Sequence, residues 1–132
     1  MWKAKLVRLF RVLSLWLFWP GVLVIVWGEL TPHPPQLGGI LGWDKAEHFI
    51  AYFGLASMAA LVLGPRPRLA WAILGVILLS GVLEILQAIT GRDAELLDFA
   101  ANSLGALTGT LAGLLFLLLF QERALVAEPA SD

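Results

Sequence analysis

Residues 97–120 read LDFAANSLGALTGTLAGLLFLLLF, with Asp98 as the only charge, at the start of the run. A helix rises about 1.5 Å per residue and the hydrocarbon core of a bilayer is about 30 Å thick, so this stretch is long enough to span. Three further stretches qualify: roughly Val12 to Leu30, Ala46 to Gly64 and Leu69 to Thr90. Pro20 removes one hydrogen bond of the first and predicts a kink there. Between them, the Pro- and Gly-rich Thr31 to Gly42, the turn Gly64-Pro65-Arg66-Pro67-Arg68 and the short Gly91 to Leu96 cannot continue a helix. The expected fold is an all-α, polytopic membrane protein of four transmembrane helices.

The composition of the 132 residues agrees, being 59% hydrophobic and 14% charged, with a mean hydropathy of +0.83. A soluble domain carries about 25% charge, so a soluble globular fold is excluded. A net charge of −1 offers no basic field for nucleic acid. The chain has no cysteine, which removes disulfides, thiol nucleophiles and Cys-ligated metals. Residues 1–11 are a basic end, 12–120 the four-helix membrane domain and 121–132 a short polar tail. The basic start resembles a signal peptide, but without a small-x-small cleavage site before the Pro-rich segment it reads as a retained first helix.

Orientation follows from the lysines and arginines near the span ends. Lys3, Lys5, Arg8, Arg11, Arg66, Arg68 and Arg123 fall on one side, and Lys45 and Arg92 on the other. Both termini of this multi-pass protein are therefore expected in the cytoplasm, with Thr31 to Trp43 and Gly91 to Leu96 outside.

The polar residues within these apolar runs are periodic. Asp44, His48 and Tyr52 recur at four-residue spacing on one face, with Lys45 within a turn of His48; Glu84 and Gln87 share a face three apart, as Asp98 and Asn102 do four apart. In the expected topology all three stripes lie in the outer leaflet, and the inner half of every helix is nearly all apolar. One shared outward-facing polar pocket explains this, with Glu84 expected to be partnered by His48, Lys45 or Arg92 because a lone intramembrane charge is costly. Gly105, Gly109 and Gly113 recur every four residues on the fourth helix, a spacing that lets helix backbones approach closely.

The string Asp44-Lys45-x-x-His48-Phe49-x-x-Tyr52, then Glu84-x-x-Gln87, then Arg92 and Asp98, followed by Asn102, Gly105 and Gly109, resembles the VanZ-like membrane proteins. The resemblance runs from Trp43 to about Gly113, and the first helix and both tails carry no diagnostic motif. It implies a bacterial cell-envelope protein linked to glycopeptide antibiotic resistance of the teicoplanin type.

Each feature also has a structural explanation. Asp44 and Glu47 fit a helix N-terminal capping box, and Asp93, Glu95 and Asp98 are favoured at the start of the fourth helix. Ser80 and Ser103 read as packing residues, Tyr52 as a core aromatic, and Arg92 as a partner for a carboxylate. One pocket histidine without a His-Glu-x-x-His helix does not make a metal site, and no cofactor is expected. The functional expectation is a non-catalytic envelope protein binding a lipid-linked or amphipathic molecule. The alternatives are an intramembrane enzyme acting on a lipid or cell-wall precursor through His48 and a carboxylate, or a small subunit packing against a larger membrane partner; a homo-oligomer is also compatible.

Overall fold

The computed structural model describes residues 2–31, 44–90 and 95–120, the side chains of Asp44 and Thr90 excepted. The Pro-rich connection, the turn containing Arg92 and Asp93, and the C-terminal tail lie outside the described residues, as do Trp43 and Arg123. Four helices account for nearly all of the remainder: α1 Trp2–Leu30, α2 Asp44–Leu63, α3 Pro67–Thr90 and α4 Leu96–Phe120. All four are long and apolar enough to cross a membrane.

Helix α1 begins ten residues before the apolar run that predicts it. Its basic first turns carry Val7, which is buried against Leu61 and Leu117 of α2 and α4, so tertiary packing extends the helix beyond the apolar stretch. The helix continues through Pro20. Much of the outer surface is apolar, with Trp16 75%, Ile89 76% and Leu118 67% exposed. In water such a surface would drive aggregation, whereas lipid tails solvate it at no cost.

Helices α2 and α4 make the closest approach. A Cβ built on Gly105 would run into the Phe49 carbonyl oxygen and one on Gly109 into that of Phe53, while one on Gly113 would lie 2.8 Å from the Ala60 Cβ. Only glycine admits backbones this near. The Ser57 hydroxyl uses the proximity to donate to the Gly109 carbonyl at 2.9 Å. Against this pair pack α1 and α3, around a core that includes Tyr52, Leu55, Ala56, Leu69, Ile73 and Ala106.

At the α2–α3 turn, Gly64 takes the left-handed conformation at φ 66° and its N–H donates to the Ala60 carbonyl at 2.8 Å, ending α2 as glycine commonly ends helices. Pro67 opens α3 at the position where its missing N–H costs nothing. The Arg11 guanidinium donates from Nε to the Leu61 carbonyl at 2.9 Å, satisfying an orphan carbonyl of the last turn of α2. The opposite end of the bundle brings together the C-terminal turns of α1 and α3 and the N-terminal turns of α2 and α4. Almost all the buried polar side chains collect there.

Candidate functional site

At this end Glu95 immediately precedes α4, and its carbonyl accepts the Asp98 N–H at 2.9 Å. This sets Asp98 in the first turn, where the helix dipole favours a carboxylate. Lys45, in the first turn of α2, reaches across to it: Nζ lies 2.5 Å from Asp98 Oδ1 and also pairs with Glu95. The pairing offsets the poor placement of an ammonium at a helix N-terminus.

One turn deeper, Asn102 is fully buried and donates from Nδ2 to the Ser80 hydroxyl of α3 at 2.9 Å. That bond turns Oδ1, an acceptor, toward His48, 3.2 Å from Nδ1, an arrangement that suits the tautomer with its proton on Nδ1. His48 Nε2 faces Asp98 Oδ2 at 3.9 Å, and its Nδ1 edge lies 3.8 Å from Glu29 Oε1. Gln87 is buried on α3 and donates to the Glu29 backbone carbonyl at 3.0 Å. The hydroxyl of Tyr52, wholly buried on α2, lies close to Glu29 and Ser80.

Glu84 is the exception among the carboxylates, and the Tyr52 hydroxyl likewise has no hydrogen-bond partner among the described residues. Only 8% of Glu84 is exposed, and neither carboxylate oxygen has a hydrogen-bond partner among the described residues. The expectation that Lys45 or His48 pairs with it is corrected here. Lys45 is held by the first turn of α4, and His48 by Asn102 and the two flanking carboxylates; both reach Glu84 only as charges at a distance, alongside the opposing charge of Asp98. The backbone N–H of Glu95 lies nearby, outside hydrogen-bonding geometry. Arg92, the third expected partner, lies outside the described residues, as does the side chain of Asp44.

Lys45, His48, Tyr52, Glu84, Gln87, Asp98 and Asn102 thus converge at one end of the bundle, while Gly105, Gly109 and Gly113 form the α2–α4 contact. Three participants lie outside the expected pocket set, two of them, Ser80 and Glu95, read from the sequence as a packing residue and a helix-start carboxylate. Glu29 brings the first helix into the cluster; its signal was a lone carboxylate at the end of an apolar run. Ser80 is a hydrogen-bond partner of Asn102, and Glu95 an ion-pair partner of Lys45. Among the described residues no three His, Asp or Glu side chains converge to hold a metal ion. The Ser80 hydroxyl oxygen accepts from Asn102.

Beside the cluster, between α3 and α4, is a groove of about 430 Å³ lined by Gly81, Glu84, Ile85, Ala88, Glu95, Leu96 and Phe99. Ile85 is 66% and Leu96 82% exposed, so the groove opens sideways, away from the bundle axis. No family model, curated protein or solved structure matches the chain.

Proposed function

We propose that this chain is a multi-pass inner-membrane protein of the VanZ-like kind that binds a lipid-linked or amphipathic molecule at the outer end of its bundle without transforming it. The observation that carries this reading is the segregation of polarity. All four helices send polar side chains to one end, and most of the other buried side chains are apolar, which suits a ligand with a polar head and an apolar body. Both termini lie in the cytoplasm on this reading, so the polar end faces outward and is reachable by envelope-active compounds, consistent with the glycopeptide resistance that the resemblance implies.

Two experiments test it. Single cysteines in this cysteine-free chain at Gln36 and Ala94 react with an impermeant thiol reagent in intact cells, and one at Pro67 reacts only after permeabilisation; the reverse pattern overturns the topology. His48→Gln, Glu84→Gln and Arg92→Lys lower a glycopeptide-resistance or ligand-binding phenotype while expression and detergent thermostability are retained. Full phenotype in all three well-folded variants overturns the binding reading.

A further inference from the structure

The groove between α3 and α4 meets the polar cluster at Glu84, and the two features together specify an occupant. The walls of the groove, including Gly81, Ile85, Ala88, Leu96 and Phe99, are apolar. A side chain on Gly81 would start against the Phe99 ring, with Cβ 3.4 Å from Cε2, so glycine keeps the groove open. Glu84, more than nine-tenths buried, brings to it two carboxylate oxygens that accept no hydrogen bond among the described residues. The cationic side chain closest in function, Lys45, is already held by Glu95 and Asp98. Asp98 adds negative potential at Glu84, and the cluster's carboxylates Glu29, Glu84, Glu95 and Asp98 outnumber its ammonium among the described residues.

A buried carboxylate left in this state favours a cation with several N–H donors. A primary ammonium is compact and offers three donors, enough for both oxygens. The sideways opening sets the rest of the ligand: what enters between Ile85 and Leu96 comes from the bilayer and keeps its chain there.

We propose that the α3–α4 groove seats a membrane lipid with a primary ammonium head, which binds Glu84 while its chain passes Gly81 and Phe99 toward the bilayer centre. This rests on the amphipath-binding reading above and assigns it a charge class, an anchor and an entrance. The lipid is bound and not transformed, so no bond is made or broken.

The test uses the full chain in phosphatidylcholine nanodiscs and three hexadecyl probes with a photoactivatable group in the chain, ending in a primary amine, a hydroxyl or a carboxylate. The amine probe is expected to label α3 and α4 saturably, at concentrations about tenfold or more below the other two, the range of a charge-assisted hydrogen bond. Glu84→Gln brings the amine probe down to the hydroxyl level, and Gly81→Leu, which fills the groove and leaves the carboxylate in place, removes saturable labelling by all three. Unfolding temperatures are taken for both variants; if Glu84→Gln does not fold, the head-group preference of the unaltered chain and the Gly81→Leu result decide. Equal labelling by amine and hydroxyl probes, preference for the carboxylate, or an amine preference that survives in folded Glu84→Gln overturns the ammonium assignment and leaves amphipath binding standing. No saturable labelling with any head overturns both.

Discussion

The two ends of the bundle are built to different rules. At the Gly64 end the chain reverses through a glycine cap, Arg11 satisfies the Leu61 carbonyl, and Val7, Leu61 and Leu117 close the contact with apolar packing. At the Glu84 end, Lys45, His48, Gln87, Asp98 and Asn102 are tied into hydrogen bonds or ion pairs, and one buried carboxylate is not. The first end shows what this chain does when it only has to hold together. The second contains the same kinds of crosslinks plus a carboxylate that accepts no hydrogen bond from the described residues, the group to which the proposal assigns a ligand.

The largest effect should come from the seam that both ends share. Gly109→Val forces a side chain into the Phe53 carbonyl, which is backbone and cannot move aside. Overpacking of this kind costs about 1–3 kcal/mol or more, and loss of folded protein in detergent is expected. Gly54→Ala is the control, because a Cβ there meets nothing within 4 Å; equal tolerance of both changes would mean that α2 and α4 do not approach so closely.

Next comes Lys45→Met, which strands Asp98, a buried carboxylate, and releases Glu95. Leaving such a group unsatisfied costs about 1–3 kcal/mol, read as a fall in unfolding temperature. The double variant Lys45→Met with Asp98→Asn should recover part of it, and a fully additive loss would show that the two residues are not coupled.

These residues also mark what could be read in advance. The helical stripes Asp44-His48-Tyr52, Glu84-Gln87 and Asp98-Asn102 are visible because helix periodicity is local, and the four spans are visible because a bilayer sets their length. The start of α1 at Trp2 is not, since it depends on Val7 packing against helices more than fifty residues away in sequence. Partner choice is hidden for the same reason. That Lys45 turns to α4 and leaves Glu84, and that Glu29 and Ser80 join the cluster, follow from distances between helices that no spacing within one helix records.

A smaller effect is expected at the closed end. Arg11→Met keeps the apolar stem and removes one hydrogen bond to the Leu61 carbonyl, costing about 1 kcal/mol with no change in ligand binding. A loss of binding there would break the division between a structural end and a functional one.

The most direct test of that division is thermal unfolding of Glu84→Met in detergent. Replacing an unpartnered buried carboxylate with an apolar side chain of similar length removes a desolvation cost and strands no partner. The account predicts an unfolding temperature equal to or above that of the unaltered chain, together with loss of amphipath binding. An unfolding temperature lowered as far as in Lys45→Met would show that Glu84 holds the helices together, and would contradict its assignment to a ligand.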